Sequence, residues 1–395
     1  MTKISHFHSL PCEFLLKTAV AVVFRAQIVY NRSTIHFTIG QEMTFLNLCV
    51  LFGGVSSEHG VSLISAANIL ANLNRDRYNV FPVVIDRAGD WFYLPHATAD
   101  QIRADKWAES EGVTKVTVSV CRSCPSLIAL DGSFEPIPLD CMFPVMHGKN
   151  GEDGTIQGLF EIMGVPYVGC GVLASAAGMD KTMTKQVVDH LPVRQAAWTY
   201  FTDREISADV DACVAKAEAA FGYPMFVKPS SAGSSFGTNK AKDRAGLISA
   251  LGEAAAHDSK VLVEEFISGQ EVEVAVLGNH DLLVSGCGEI LPTQEFYTYD
   301  AKYNDETSQT LLCARLTEEE AARVQNAADQ IYRALGARGL SRVDFFVTHD
   351  TRDVVFNEIN TLPGFTGISM YPKLIEAAGV STPDLLDRLI ELAMQ

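Results

Sequence analysis

Two carboxylates and a carboxamide lie close together in the last sixth of the chain. Asp344 precedes the polar run THDTRD (residues 348–353), and Glu358 and Asn360 follow it. Mostly apolar segments, 343–347 and 354–356, flank that run, which is the pattern of a β-hairpin. A turn near Asp350 or Thr351 brings Asp344 opposite Glu358, and strand alternation puts Glu358 and Asn360 on one face. Three oxygen donors then converge on one patch. Hard oxygen suits Mg²⁺ or Mn²⁺ rather than zinc, and Mg²⁺ is usually held by few protein ligands together with phosphate oxygens. The same residues would equally suit the solvated face of a hairpin.

Other stretches upstream carry residue types suited to related chemistry. KPSSAGSSFG (228–237) follows the apolar strand 225–227; small residues let backbone N–H groups close around phosphate oxygens, and Lys228 adds charge. It lacks the GK[ST] ending of a P-loop, and a mobile surface loop would read the same way. LVEEFISGQE (262–271) is an apolar run ending in acids, suited to an adenine edge and a ribose, or to a solvated sheet rim. GGVSSEHGVS (53–62) joins a buried strand to a helix without matching GxGxxG, so a dinucleotide site is not expected. Glu58 within it suits either an ammonium group or a helix N-terminus. His147 closes a strand at MHGKNGEDG, and FYTYDAKY (296–303) is polar and aromatic.

The core NEIN (357–360), followed by TLPGFTGISMYPKL, resembles the C-terminal signature of D-alanine-D-alanine ligases, members of the ATP-grasp superfamily. The likeness runs from Met43 to the C-terminus, with the motifs in family order. It implies ATP and two Mg²⁺ or Mn²⁺ ions, the metal held by Asp344, Glu358 and Asn360. It further implies that Lys181, Lys228 and Ser235 meet the nucleotide phosphates, Glu264, Glu265 and Ile267 the adenine, and Glu271 the ribose. Glu58 would hold the ammonium of the first D-alanine, with His147 nearby. Ser234 and Tyr303 would link to Glu58, and Lys302 would meet phosphate and substrate on a closing loop. Arg342 and the Gly364 backbone would hold a tetrahedral oxyanion, and Ser369 and Met370 the carboxylate of the second substrate. Two positions depart from the family: Gly60 stands where an acid is usual, and Glu265 where lysine is frequent.

The elements that must position these groups are legible as α/β. An apolar strand ends at Gly53-Gly54, with helical spacing over 61–73 and strands at 78–85, 142–146 and around 168. Residues 88–140 give no clear pattern. Helices are expected over 174–190, 208–220, 244–256 and 317–335, the last opened by a Thr317–Glu320 capping box. Thr382 and Pro383 start a final helix. The fold expected is a three-domain ATP-grasp architecture: a Rossmann-like N-terminal domain (43–170), then two α+β units (171–268 and 269–395) with ATP between them. Residues 1–42 are expected outside the catalytic fold, their apolar stretch being too short and too charged to span a membrane.

Bulk properties narrow the partners. A chain of 395 residues has room for several cores, and a net charge of −17 disfavours nucleic acid and anionic membrane. Nine scattered cysteines, with one CxxC at Cys121–Cys124, suit a reducing compartment rather than a disulfide framework. The resemblance thus implies a cytoplasmic homodimer that joins two D-alanines through an acylphosphate for peptidoglycan. Its rivals are a relative with D-lactate or D-serine as acceptor, and a nucleotide-binding protein without turnover.

Overall fold

A computed structural model of the chain describes residues 25–31, 34–40, 45–231, 233, 237–291 and 309–395. Ser234, Ser235, Lys302 and Tyr303 lie outside the described residues. The chain divides into two compact units, Met1–Phe45 and Leu46–Gln395. In the first, β1 (Arg25–Asn31) and β2 (Thr34–Gly40) form an antiparallel hairpin with Asn31 opposite Thr34.

The second unit opens with β3 (Leu46–Gly53), buried from Leu48 onward. The turn after it requires glycine: Gly53 has φ +85°, and a Cβ there would lie 2.2 Å from the Ile85 carbonyl oxygen. Helix α1 (His59–Asn72) follows, then β4 (Tyr78–Ile85), β5 (Trp91–Tyr93), α2 (Ala99–Arg103), β6 (Thr114–Val118), β7 (Ser126–Ala129), β8 (Ile137–Pro138) and β9 (Cys141–Val145). Strand β3 lies between β4 and β9, parallel to both, as its apolar run, broken only by Asn47, predicts. The patternless stretch after β4 proves to be an antiparallel meander that widens the sheet to β8-β7-β6-β5-β4-β3-β9. Helix α3 (Thr155–Met163) closes this domain. The strand expected around Val168 is only a bridge between Met142 and Tyr167, because Gly169, at φ +102°, turns the chain away.

Where one helix is expected over 174–190 there are two, α4 (Val172–Met179) and α5 (Lys181–Val188). Asp180 leaves helical geometry between them, and its carboxylate caps α5 by accepting from the Thr182 and Met183 N–H groups. Strand β10 (Arg194–Gln195) follows. Then β11 (Trp198–Thr202), α6 (Asp203–Ala208), α7 (Val210–Ala220), β12 (Met225–Pro229), β13 (Asn239–Ala241), α8 (Arg244–Ala255) and β14 (Lys260–Glu265) build a four-stranded antiparallel sheet backed by helices. The helix expected over 208–220 is interrupted at Asp209, which caps α7 through the Ala212 N–H. This part has a core of its own, including Val214, Val227, Leu251 and Val263.

The last part comprises β15 (Gly269–Leu277), β16 (Leu283–Leu291), β17 (Gln309–Leu311), α9 (Glu318–Ala334), β18 (Leu340–Thr348), β19 (Val354–Asn360), α10 (Met370–Ala377) and α11 (Thr382–Ala393). Its six-stranded sheet has the order β10-β19-β18-β15-β16-β17. The Thr317–Glu320 capping box forms as expected. Ser381, not Thr382, caps α11, because its hydroxyl reaches the Asp384 N–H and leaves Thr382 as the first helical residue. Helices α10 and α11 share one core with β3 and α1, joining Leu63 and Phe143 to Tyr371 and Leu386. The first and last parts are therefore fused by apolar packing.

Candidate active site

The β18–β19 hairpin folds as its sequence predicts, with Asp344 paired to Glu358 and Arg342 to Asn360. Strand β15 adds Glu273 on the other side of Asp344 and Glu271 beside Phe346. Three carboxylates, Glu273, Asp344 and Glu358, thus stand in a row across one sheet face. Like charges on adjacent strands repel, so the row needs cations. Arg342 supplies one: its Nε and Nη2 donate to Asp344 Oδ1 and Oδ2, both at 2.7 Å, and Nε lies 3.2 Å from Glu273 Oε2. Burial pushes the Arg342 pKa down, but Asp344 and Glu273 outweigh it and hold the guanidinium charged well above its ordinary value. Lys181 supplies another, with Nζ 3.6 Å from Glu358 Oε2. Asn360 Nδ2 donates to Asp344 Oδ2 at 3.1 Å.

One feature of β19 decides which way these groups face. The pairing shifts between Asp344 and Phe345, so that Asp344 meets Glu358 while Phe345 meets Phe356. Asn357 is the extra residue of a β-bulge. Strict alternation would put Phe356 and Glu358 on one face; the bulge lets Phe356 pack edge-on against Phe345 in the core while Glu358 turns to the cleft. The carboxamide of Asn357 is used too, its Oδ1 accepting from Lys228 Nζ at 3.3 Å.

Lys228, on β12, faces this row from the four-stranded sheet. Its Nζ lies 2.6 Å from Glu264 Oε2, and Lys185 Nζ lies 2.5 Å from Glu264 Oε1. Glu264 and Lys185 are buried. Burial alone would raise the Glu264 pKa; the two lysines overcome it and hold the carboxyl at about 2. Burial lowers Lys185, whereas Lys228 is raised because Glu264 and then Glu358 outweigh its desolvation. Glu264 therefore anchors two lysines. Glu265, next along, accepts from the Ala197 N–H through Oε1 at 2.9 Å. Ile267, the stacked rings of Phe226 and Phe266, and Lys240, 3.8 Å over the Phe266 ring, complete an apolar corner of the cleft.

The third wall comes from the first domain. Glu58 immediately precedes α1, at its N-cap position, and is buried, and its Oε2 lies 2.4 Å from where a Cβ at Gly148 would be and 3.0 Å from one at Gly233. At Gly148, whose φ is +69°, only glycine admits so close an approach by the loop after β9, whereas at Gly233 a side chain would need Glu58 to give way by only a few tenths of an ångström. His147 Nε2 meets Ser65 Oγ at 3.3 Å. Gly364 lines the cleft from the segment after β19; Ser369 stands just behind it, accepting from the Thr366 N–H at 3.0 Å. Met370 points into the core with Tyr371 and Leu374.

These walls enclose a cleft of about 900 Å³ that Glu58, Lys181, Lys228, Asp344, Glu358 and Gly364 all line. The family models for the D-ala D-ala ligase N-terminus and C-terminus match residues 47–170 and 187–391. The D-alanine–D-alanine ligase of Acetivibrio thermocellus is 48% identical over 358 residues, covering 88% of this chain and 95% of that one. The chain belongs to the D-alanine–D-alanine ligase family. Other relatives agree: the ligase of Caldicellulosiruptor bescii is 44% identical, covering 89% of this chain and 96% of its own. Among solved structures, the VanG D-Ala:D-Ser ligase from Enterococcus faecalis superposes with a TM-score of 0.81 at 39% identity, covering 89% of this chain and all (100%) of that one. The D-alanine–D-alanine ligase of Coxiella burnetii follows at a TM-score of 0.77 and 34% identity, covering 89% and 94%.

The three-part ATP-grasp architecture thus stands, and the family's use of ATP and a divalent metal can be set against these side chains. Among the described residues no three His, Cys, Asp or Glu side chains form a metal cluster by themselves. The donor set still fits such an ion: a carboxylate has about four lone-pair positions, so Asp344 keeps acceptor capacity beside Arg342, and Glu358 and Asn360 add oxygen. No described helix is long and apolar enough to cross a membrane. Sequence reasoning passed over Asn357, Lys185, Glu273, Ser65 and Asn68. A polar residue every third position through an apolar helix (Ser62, Ser65, Asn68) was the available signal for the last two; the others depend on a bulge and on pairings distant in sequence.

Proposed function

We propose that this chain joins two D-alanines into D-alanyl-D-alanine, with ATP converted to ADP and phosphate through a D-alanyl phosphate. The observation that carries this reading is the opposition of Asp344 and Glu358 on one sheet to Lys228 and Lys181 across a single cleft. A carboxylate must approach a phosphoryl group, and the two repel. Lys181 and Lys228 neutralise phosphate oxygens, and Glu264, with the buried Lys185 as its second partner, keeps Lys228 protonated. Asp344, Glu358 and Asn360 would hold two Mg²⁺ or Mn²⁺ ions, which supply further charge neutralisation when bound.

Glu58 binds the ammonium of the first D-alanine, beside His147. Arg342 gives two of its five N–H groups from Nε and Nη2 to Asp344; the others, with the Gly364 backbone, stabilise the tetrahedral oxyanion formed when the second amine attacks. Ser369 and the backbone of Met370 receive the second carboxylate. Glu264, Glu265 and Ile267 form the adenine corner, and Glu271 meets the ribose. Ser234, Ser235, Lys302 and Tyr303 complete the phosphate and closing loops, which exclude water from the acylphosphate. The protein works as a cytoplasmic homodimer in peptidoglycan precursor synthesis, without nucleic acid or membrane partners, and residues 1–42 lie outside its catalytic fold.

A D-serine acceptor is the second reading, favoured by the likeness to the D-Ala:D-Ser ligase. Coupled ADP release across D- and L-amino acids, with product mass, separates them. D-alanine-dependent ADP release with D-alanyl-D-alanine as the main product is expected even with D-serine present. ADP release that ignores D-alanine refutes the proposal.

A further inference from the structure

The segment between β19 and α10 carries Gly364 without regular structure of its own, yet its backbone is firmly held. The Phe365 N–H donates to Ser65 Oγ at 3.2 Å, and Asn68 Nδ2 donates to the Phe365 carbonyl at 2.9 Å. Both partners sit on α1, 300 and 297 positions earlier in the chain. Ser62, Ser65 and Asn68 recur at a spacing of three and so share one face of α1. Ser62 fixes the helix to the first sheet, accepting from the Gly53 N–H at 2.7 Å and donating to the Val145 carbonyl at 2.5 Å. The Asn68 carboxamide has a defined orientation, because Arg103 Nη2 donates to its Oδ1 at 3.1 Å and leaves the NH₂ for Phe365. Ser65 also meets His147 Nε2, and His147 and Gly364 line the same cleft. On the far side the Phe365 ring is buried against Tyr371.

We propose that Ser65 and Asn68 are positioning residues, holding both polar groups of Phe365 so that the adjoining Gly364 peptide keeps its orientation toward the reacting centre. Buried backbone groups need partners. Here they come from the first domain, so the wall that receives the first substrate also aligns the backbone that receives the oxyanion. This deepens the ligase reading and rests on it. The hydrogen bonds join α1 to the segment after β19 and involve no group of the four-stranded sheet that carries Lys228, so their loss acts on the second chemical step and not on nucleotide binding.

The test uses the full chain with Ser65→Ala, Asn68→Ala and the double variant. Each single change should lower kcat about fivefold, the loss expected from one hydrogen bond of ordinary strength, and the double about 25-fold. KM for ATP should be unchanged, and ADP released without dipeptide should rise. Ser65→Thr, which keeps the hydroxyl, should restore coupling. Asn68→Asp keeps the Arg103 contact but turns a carboxylate toward the Phe365 carbonyl, and should be worse than Asn68→Ala. Hydrogen exchange of the peptide spanning 362–371 should quicken in both alanine variants, a readout independent of acceptor identity. Unchanged kcat per folded molecule, a KM for ATP that rises with the loss of kcat, or unchanged exchange overturns the proposal. A wild type that makes no dipeptide sinks the ligase reading while exchange still scores the hold on Phe365.

Discussion

Replacing Glu264 by glutamine removes one charge from between two lysines and leaves the volume almost unchanged. The carboxyl is held at about 2 against an ordinary 4.5, which favours its charged form in the folded protein by about 3 kcal/mol. The group is almost fully buried, so solvent screens this little. Breaking a buried pair by removing one partner costs about 3–5 kcal/mol, which agrees. The sign follows from a depressed carboxyl: the stabilisation is complete above 4.5 and is lost as pH falls toward 2. At pH about 3.5 roughly 2 kcal/mol should remain. Native-state hydrogen exchange at the β12 and β14 amides measures the local opening free energy. The wild type should exceed Glu264→Gln by about 3 kcal/mol at neutral pH, with a gap narrowed by about a third at pH about 3.5. An equal gap at both pH values, or none at neutral pH, would show that the two lysines do not hold this carboxylate charged.

Glu358→Gln should cut D-alanine-dependent ADP release about 100-fold or more, since electrostatic stabilisation of the transferred group is lost, while circular dichroism stays that of the wild type; near-normal turnover at limiting Mg²⁺ contradicts the metal assignment. Deleting Asn357 removes the bulge and turns Glu358 and Asn360 toward the Phe345 side, so activity should vanish; a deletion variant that still turns over would show that the bulge does not set their direction. Asn357→Ala keeps the bulge and loses only the Lys228 contact, so KM for ATP should rise about fivefold with kcat little changed, read from steady-state ADP release. A chain beginning at Met43 should express, fold and turn over like the full chain; loss of soluble protein would mean that the preceding residues support the second unit.

What could be read in the sequence was whatever rests on local pattern. The apolar run into Gly53-Gly54, the Thr317–Glu320 capping box and the hairpin that pairs Asp344 with Glu358 all declare themselves within a few residues. Local reading also found that two carboxylates and an amide share a patch. It failed where one residue breaks a period. Asp180 and Asp209 stop helices whose apolar spacing continues through them, because each carboxylate binds the next N–H groups better than the helix can use it. Asn357 inverts the alternation of β19, which no counting of every second residue reveals. The two lysines that pair with Glu264 could not be read beside it, because Lys185 and Lys228 lie on other elements. The meander of β5 to β8 has strands too short to show a period.

The separate core of the four-stranded part has a consequence for how the protein ages and is degraded. Apolar packing fuses the first and last parts, so they must unfold together. The segment from β11 to β14 is tied to them instead by polar contacts, Asp180 with Ser230 and Lys260, and Lys185 with Glu264. A segment with its own core can open without disturbing the shared one, so it should open at a lower free energy than the whole and be cleaved before it. A ligand lying in the cleft touches both sides and closes that route in proportion to its occupancy. Susceptibility to cleavage within 198–265 then becomes a record of how full the cleft is, and a cell short of nucleotide would clear this chain faster than one well supplied.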